Sequence, residues 1–151
     1  MAPHLIDIQQ NLGIINGLHS QKQTNEILEK KDYKSLMCEG IKHFKKENYA
    51  LAVQYFEIVL KKYPDSKPGY KYLGSAYFRN GMYEKALNTL IKAAQLDSAD
   101  VNTFESLAIV YMKQGNVKQA IETFENILQF HSERNDIREK VEDIIESHKR
   151  Q

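Results

Sequence analysis

The stretch Tyr72–Leu87 reads YLGSAYFRNGMYEKAL and contains the pattern that decides the fold. Its first half has the apolar spacing of a helix but carries Gly74 at its centre, where a glycine costs about 1 kcal/mol relative to alanine. Asn80-Gly81 is a turn signal, and a second apolar stripe with helical spacing follows it. The stretch therefore predicts two short helices joined by a turn, with a helix-interior glycine that needs an explanation.

The surroundings of Gly74 recur along the chain. Gly40 lies 34 residues earlier and Ala108 lies 34 residues later. Three further columns share this offset: Tyr49, Tyr83 and Val117; Ala52, Ala86 and Ala120; Phe56, Leu90 and Phe124. A fixed period of this length is the signature of a repeat protein. The small residues remove side-chain bulk where two helices would cross, so we interpret Gly74 as a packing residue that lets larger neighbours bury apolar surface.

These columns resemble the tetratricopeptide repeat (TPR) family, a helix-turn-helix unit with small, aromatic and alanine positions in this order. The resemblance implies an all-α fold, a right-handed α-solenoid of three repeats. We place them at residues 33–66, 67–100 and 101–134. The first repeat departs from the pattern, because it has Glu47 where the other two have a glycine at the turn.

Residues 135–151 are predicted to form a C-terminal capping helix. Its apolar stripe consists of Ile137, Val141, Ile144 and Ile145. A stack of repeats leaves its last apolar face open, so a terminal helix with a polar outer side is expected. We expect the N-cap of this helix at Asn135 or Asp136.

Residues 1–32 form a separate N-terminal segment with helical character. Leu5, Ile8, Leu12 and Ile15 lie near one helical face, and a second short helix is expected to begin near Thr24. One interpretation is that this segment packs on the first repeat and caps the stack. The other is that it docks on a second copy of the protein or folds over the binding groove, since an apolar stripe marks an interaction site.

In the TPR family, the first helix of each repeat lines the concave face, where partners bind. The corresponding positions are Met37, Cys38, Ile41, Phe44 and Lys45 in the first repeat, Lys71, Tyr72, Ser75, Phe78 and Arg79 in the second, and Glu105, Ser106, Ile109, Met112 and Lys113 in the third. Aromatic, methionine and isoleucine side chains on such a wall suit an apolar peptide or helix. The alternative is that some of them only fill space against neighbouring helices.

Lys45, Arg79 and Lys113 occupy one column with a spacing of 34 residues. Stacked repeats would turn this column into a basic ladder that meets acidic groups on an elongated partner. A structural explanation competes with this one. Each cation lies near the C-terminal end of its helix, where the helix dipole favours positive charge by about 0.3–1 kcal/mol.

Composition excludes several function classes. The 21 Lys+Arg and 20 Asp+Glu residues nearly cancel, so no global field would hold the protein on nucleic acid or on an anionic membrane. Cys38 is the only cysteine, which rules out an internal disulfide and fits a reducing compartment. We see no secretion signal and no run near the roughly 18 apolar residues of a membrane helix. A cytoplasmic protein is expected.

No catalytic or metal-binding constellation stands out. The chain has five histidines, at His4, His19, His43, His131 and His148. They lack the spacing of metal ligands, and Cys38 has no recognisable activating base. We therefore expect no enzyme activity, no cofactor and no metal.

The resemblance also allows one specialised role to be tested by residue type. TPR domains that bind the C-terminal carboxylate of heat-shock proteins hold it with lysine, asparagine and arginine side chains. The matching positions here carry Met37, Ile41, Tyr72, Asn102 and Ser106. The absence of this clamp disfavours a heat-shock co-chaperone of that type.

The resemblance implies a non-catalytic adaptor that binds a peptide or helix of another protein in the concave groove. The architecture also looks like the translocator chaperones of type III secretion, small bacterial proteins with three such repeats and a leading helix. The stretch Gly40–Val53, GIKHFKKENYALAV, resembles a repeat of the magnetosome-associated scaffold MamA, which assembles with itself. In a scaffold of that kind, residues 1–32 would join copies into a homo-oligomer.

Overall fold

The structure is a computed structural model, and it describes residues 21–151. Helical residues 21–29, here called the leading segment, precede seven α-helices in the described range. These are α1 (Tyr33–Lys45), α2 (Tyr49–Lys62), α3 (Lys67–Arg79), α4 (Tyr83–Leu96), α5 (Val101–Lys113), α6 (Val117–Phe130) and α7 (Asn135–Lys149). Residues 21–151 contain no strand, so the all-α prediction is confirmed.

The helices form a stack of pairs. Within each repeat the first helix packs on the second, so that α1 pairs with α2, α3 with α4 and α5 with α6. Each second helix then packs on the first helix of the next repeat, and α7 packs on α6. This order is that of an α-solenoid, and it confirms the predicted fold class.

Two of the first helices begin with a side-chain cap. The Asp32 carboxylate accepts a hydrogen bond from the amide of Ser35 at 2.7 Å, and the Ser66 hydroxyl accepts one from the amide of Gly69 at 3.0 Å. Each bond satisfies an amide that has no partner inside its helix. Pro68 lies in the first turn of α3, where a missing amide costs nothing.

The turn inside each repeat has the same hydrogen-bonded form. Glu47, Gly81 and Gly115 have positive φ angles of 62°, 77° and 76°. After each of them the next amide donates back to a carbonyl of the finished helix, as from Asn48 to His43 at 2.9 Å. This is a Schellman motif, which needs a left-handed residue at this point. Glu47 therefore adopts the conformation that glycine provides in the other two repeats.

The seam between the two helices of a repeat explains Gly74. A Cβ atom added there would lie 2.6 Å from the Leu90 side chain, and one added at Gly40 would lie 2.6 Å from the Phe56 ring. Leu90 and Phe56 are fully buried. Burying a side chain of this size contributes about 1.5–3 kcal/mol, which exceeds the helix-propensity cost of one glycine. The glycines are packing residues, as the sequence pattern predicts.

The buried side chains form two clusters. The larger runs from Leu28 through the first two repeats and into α5, where it ends at Val110. The smaller joins the third repeat to α7 through Ile137 and Val141, with Ile144 and Ile145 packed against it. The predicted stripe of α7 is therefore the face that closes the stack, and its outer face is polar.

The leading segment is attached to the outer side of the first repeat. Leu28 is buried in the core, whereas Ile27 beside it is 62% exposed. Glu29 forms an ion pair with Lys61, and Lys62 donates a hydrogen bond to the carbonyl oxygen of Glu29 at 2.9 Å. These contacts fix the end of the segment against α2.

Two local predictions need correction. Helical structure is already present at residue 21, so the helix does not begin near Thr24. The N-cap position of α7 is Arg134 rather than Asn135 or Asp136, which are the first two residues inside the helix. The physical reason is that the Asp136 carboxylate accepts hydrogen bonds from the guanidinium of Arg134, two residues before it, and the N-cap residue makes no side-chain cap hydrogen bond at this end. The helix predicted over Leu5 to Ile15 lies outside the described residues.

Candidate functional site

The candidate site is the face made by the first helices of the three repeats. α1 contacts α3, and α3 contacts α5, whereas α2, α4 and α6 make no comparable contacts with one another. A stack whose first helices approach more closely than its second helices curves toward the first helices. The face of α1, α3 and α5 is therefore the inner one, and we call it the groove.

One column of predicted groove residues is already engaged in contacts inside the stack. Met37 is only 7% exposed and belongs to the core. Lys71 lies 3.0 Å from the Asp100 carboxylate, which joins α3 to the start of α5. Glu105 forms an ion pair with Arg134 at the start of α7. We call Met37, Lys71 and Glu105 the tie column, because the side chain of each contacts neighbouring parts of the structure and is not free on the groove surface.

An aromatic chain joins the first two repeats at the groove. Phe44 meets Tyr49 and Tyr72 edge-on, with ring centroids 5.4 Å and 6.5 Å away. Tyr72 in turn stacks on Phe56 at 5.5 Å. Such pairs contribute about 0.5–1.5 kcal/mol each beyond burial. Phe44 and Tyr72 are thus partly committed to packing and offer only their remaining exposed edges.

Apolar surface increases toward the third repeat. Ile41 and Phe78 are half-buried and pack against the core. Ile109 is 40% exposed, and Met112 on the following turn is half-buried. Ser75 stands between Ile41 and Ile109 in their column. Ile109 is therefore the predicted apolar groove residue with the most surface to offer.

Two cavities open along the groove. One of about 530 Å³ lies between the second and third repeats and is lined by Lys71, Tyr72 and Asp100, among others. A smaller one of about 210 Å³ lies between Met112 and the residues Ile144 and His148 of α7. The capping helix thus forms part of the wall at the third-repeat end.

The three cations of the predicted ladder are not equivalent. Arg79 donates hydrogen bonds to the Tyr49 hydroxyl at 2.7 Å and 2.9 Å, and its guanidinium lies 5.1 Å from the centre of that ring. Lys45 and Lys113 are exposed. All three are the last residues of their helices, where the helix dipole favours a cation. Arg79 is therefore held in place, and the two lysines provide the freer charges.

Hydrogen bonds and ion pairs lower the pKa values of two carboxyl groups, Asp100 just before α5 and Asp136 in the first turn of α7. Hydrogen bonds from Arg134 lower the pKa of Asp136 to about 2. Burial raises the pKa of Asp100, but hydrogen bonds from Thr103 and Lys71 outweigh that effect and leave it below its ordinary value. Both carboxylates are therefore charged at neutral pH, so the Lys71–Asp100 tie and the Arg134–Asp136 pair are both present there.

Asp100 and Arg134, the partners of the tie column, were missed by sequence reasoning. The pairs Lys71–Asp100 and Glu105–Arg134 both span 29 residues, and the second lies one repeat after the first with the signs reversed. A search for opposite charges at this spacing within the repeat register would have found them. Their tie positions also explain why two charged groove residues are not free for a partner.

Metal binding, histidine or cysteine chemistry and membrane insertion have little support in residues 21–151. Within residues 21–151, no group of three or more His, Cys, Asp or Glu side chains is placed to hold a metal ion. His43 stacks on Tyr55 at 5.4 Å in the packing column, and Cys38 is exposed. None of the helices described is long and apolar enough to cross a membrane.

Comparison with protein families identifies the repeat. A family model described as "TPR repeat" matches residues 74–115, and two described as "Tetratricopeptide repeat" match residues 103–137 and 43–66. Together these matches cover more than half of the chain. Helix pairs of this length stacked in this order define the class, and the chain belongs to the tetratricopeptide repeat family.

Curated relatives match over part of their length. The chain is 32% identical over 110 residues to the CTR9 homolog of Arabidopsis thaliana, which covers 61% of this chain. It is 36% identical over 55 residues to the TPR repeat-containing protein MJ1428 of Methanocaldococcus jannaschii, which covers 36% of this chain. In both cases the match spans about 10% of the relative.

Solved structures agree in fold. The first TPR of Spaghetti (RPAP3), bound to the HSP90 peptide SRMEEVD, matches with a TM-score of 0.71 at 17% identity, over 76% of this chain and 91% of that one. The Sgt2 TPR domain from Aspergillus fumigatus matches with a TM-score of 0.70 at 19% identity, over 79% and 82%. At these identities the likeness concerns the fold alone.

Proposed function

We propose that this protein is a non-catalytic adaptor that binds a peptide or helix of a partner protein in the groove. The single observation that carries the proposal is the third-repeat end of the groove. There Ile109 is 40% exposed on the inner face, beside half-buried Met112 and exposed Lys113. Apolar surface with a cation at its edge suits a partner segment that offers apolar side chains and acidic groups. We also propose that binding takes place in the cytoplasm.

The geometry argues against the partner of the similar solved structure. The RPAP3 domain is bound to a peptide that ends in glutamate, valine and aspartate. Two of the positions that would form the carboxylate clamp here are Met37, which is buried, and Ile41, which has no donor. A buried carboxylate without donors is strongly disfavoured. We propose instead a partner held by internal apolar residues.

The peptide SRMEEVD itself tests this distinction. Titrated into the protein and followed by calorimetry, it should give no saturable heat. The same peptide with its terminal carboxylate amidated serves as the control and should behave in the same way. Saturable binding that requires the free carboxylate would contradict the proposed partner class and would indicate the C-terminus of a heat-shock protein as the partner.

The groove is tested by capture of a partner from the native extract with a charge-reversed variant. In the double variant Ile109→Glu, Lys113→Glu, the apolar contact and the cation are both removed on one helix face. The matched control is Asn88→Glu, Lys92→Glu, which places the same residues at the same spacing on the exposed side of α4. Both variants change the net charge by the same amount, so a non-specific charge effect would appear in both.

The proposal predicts that the control keeps the partner and the groove variant loses it. Equal capture by both variants, with unchanged helicity, would overturn the groove assignment. Recovery of further copies of the bait alone, lost in the groove variant, would favour the self-assembling scaffold. A secreted translocator protein as the captured partner would favour the type III secretion chaperone. The identity of the captured protein therefore distinguishes the adaptor, the self-assembling scaffold and the secretion chaperone.

A further inference from the structure

A row of exposed lysines lies on α1. Lys34 and Lys42 stand four residues on either side of Cys38, and all three side chains are exposed. Lys45, also exposed, lies three residues after Lys42. Residues three and four apart are neighbours on a helix surface, so these positions share one side of α1. Cys38 and Lys45 are predicted groove positions, and the three lysines, here called the basic stripe, therefore border the groove at its first-repeat end.

The acidic residues nearest to the basic stripe in sequence have other partners. The Asp32 carboxylate accepts the hydrogen bond that caps α1 at 2.7 Å, and its attraction to the first lysine of the stripe is only a minor cause of its lowered pKa. Glu39 lies 3.9 Å from the ring of His43, and Glu47 lies 3.9 Å from the guanidinium of Arg79. Among residues 21–151, no lysine of the stripe forms an ion pair. The stripe therefore keeps a net positive charge.

The sequence of residues 1–20 does not change this balance. It contains one acidic residue, Asp7, and no lysine or arginine. One carboxylate cannot neutralise three ammonium groups, so the charge of the basic stripe does not depend on where that segment lies.

The other end of the stack shows what the exposed face of a terminal helix needs. On α7 both signs are interspersed over the exposed positions Arg138, Glu139, Lys140 and Glu142. Mixed charge of this kind keeps a surface soluble without a large field of one sign. The basic stripe has one sign only, and like charges three or four residues apart on a helix repel each other. Solubility of an end helix therefore does not account for the stripe.

Helix stability accounts for only part of the basic stripe. Lys42 and Lys45 lie in the last turn of α1, where the helix dipole favours a cation. Lys34 is the second residue of the helix, where the same dipole disfavours one. The equivalent residues in the other two repeats are Pro68 and Asn102, so the repeat pattern requires no cation there. A residue that breaks a local rule of this kind indicates recognition rather than folding.

We propose that the basic stripe binds an acidic stretch of the same partner segment whose apolar side chains reach Ile109. This inference rests on the proposed function and makes the partner class specific. The segment carries one acidic and one apolar block, and it lies across the first helices from α1 to α5. Complementary charge also fixes its orientation, because the reversed segment would place carboxylates beside the apolar surface of Ile109.

The geometry of the stack sets the distance between the two blocks. α1 contacts α3, and α3 contacts α5. Packed helices lie about 8–10 Å apart, so α5 is about 16–20 Å from α1. An extended chain covers this distance in about 5–6 residues, and a helix covers it in about 11–13.

A nucleic acid is the competing occupant for a row of lysines. Proteins bind single strands by stacking bases on aromatic rings beside cations. Phe44 and Tyr72, two aromatic residues of the groove, pack against each other, and the predicted apolar groove residue with the most exposed surface is aliphatic Ile109. These observations favour an acidic peptide.

The probe is a labelled peptide of three glutamates, a glycine-serine spacer of about six residues and two leucines. Its binding to the full chain is followed by fluorescence anisotropy. The variant Lys34→Gln, Lys42→Gln, Lys45→Gln should bind it about tenfold more weakly than the parent at low salt. The difference should shrink as salt is added, because exposed charges are screened.

The matched control is Lys92→Gln, Lys140→Gln, Lys149→Gln, which removes the same charge from exposed positions on α4 and α7. It should bind the peptide like the parent. A parent that does not bind the peptide, or equal losses in the stripe variant and this control, would overturn the inference. Tighter binding of a single-stranded oligonucleotide than of the peptide, lost in the stripe variant, would also overturn it and would assign the stripe to nucleic acid.

Ile109→Ser separates this inference from the proposed function. It removes the apolar contact without adding charge, and it should also weaken binding of the peptide. Weaker binding by Ile109→Ser with parent-like binding by the stripe variant would overturn the role of the stripe and leave the groove in place. Parent-like binding by both variants would count against the groove as well.

Discussion

The residues of the helix seam and those of the groove both lie on the first helices, but their amino-acid types follow different rules. At the seam, the residue type recurs every 34 positions, as in Gly40, Gly74 and Ala108. In the groove, the column next to it reads Ile41, Ser75 and Ile109, with no common type. The seam is buried and every repeat must solve the same packing problem there. The groove is open to solvent, so the residue type at each of its positions is free to differ.

The difference teaches where each kind of information lies in this chain. Recurrence at the repeat period indicates structure, and on an exposed face we expect departure from it to mark positions used for recognition. The tie column combines both, because Lys71 and Glu105 differ in sign yet make the same contact, each with the N-cap residue of a later helix, Asp100 before α5 and Arg134 before α7. Departure from the repeat type therefore indicates recognition only where the side chain is not already paired.

The largest expected effect comes from breaking the seam. Gly74→Val places branched carbon atoms where a Cβ alone would lie 2.6 Å from Leu90. Overpacking of this kind should lower the free energy of unfolding by about 2–3 kcal/mol, measured by urea denaturation. Ser75→Val, the same product residue one position further on, should change it by less than about 0.5 kcal/mol. Equal effects of the two variants would show that Gly74 is not a seam residue.

A smaller effect comes from making the first repeat more like the others. Glu47→Gly relieves a left-handed conformation that costs a non-glycine residue about 1–2 kcal/mol, less the entropy that glycine adds to the unfolded chain. The free energy of unfolding should rise by about 0.5–1 kcal/mol. The reverse change, Gly81→Glu, should lower it by a similar amount, because no atom within 4 Å of its Cβ adds a steric term. Stabilisation by both changes would contradict this account of the turn.

The smallest effect is a pH dependence at the α7 end of the stack. The pKa of Asp136 is lowered to about 2 in the folded chain, against about 3.9 when unfolded. A lowered pKa contributes stability that is complete above the unfolded value and lost as the pH falls through the folded one. Asp136→Asn should therefore be less stable than the parent at pH 6, and the difference should shrink between about pH 4 and pH 2. A difference that stays constant over this range would exclude the Arg134 pair as its source.

Much of the fold was predictable because the seam repeats. The offset columns identify the helix pairs, and the stripe that ends in Ile144 and Ile145 identifies the cap. The helix boundary at Arg134 was not predictable from capping preferences, because that arginine pairs both with Asp136 and with the distant Glu105. The left-handed conformation of Glu47 appears in the sequence only as the lack of a glycine at this turn position. Local propensity does not show where a side chain from another element satisfies a backbone or charge requirement.

The candidate site was predictable as a face but not as a set of free side chains. The repeat register places all the predicted groove residues on α1, α3 and α5. It does not reveal that Met37 is buried in the core or that Arg79 is held by Tyr49. Both outcomes depend on contacts with neighbouring helices, which a single-helix pattern does not contain. Ile109 stands out as a candidate partner-contact residue only once the exposed fractions of the groove side chains are known.

The central claim is that seam and groove residues carry separate properties, fold and recognition. Its most direct test is urea unfolding of the Ile109→Glu, Lys113→Glu variant beside its capture of the partner. The account predicts a free energy of unfolding within about 0.5 kcal/mol of the parent together with loss of the partner. A loss of about 2 kcal/mol or more, typical of a core substitution, would contradict it and would make these residues part of the fold.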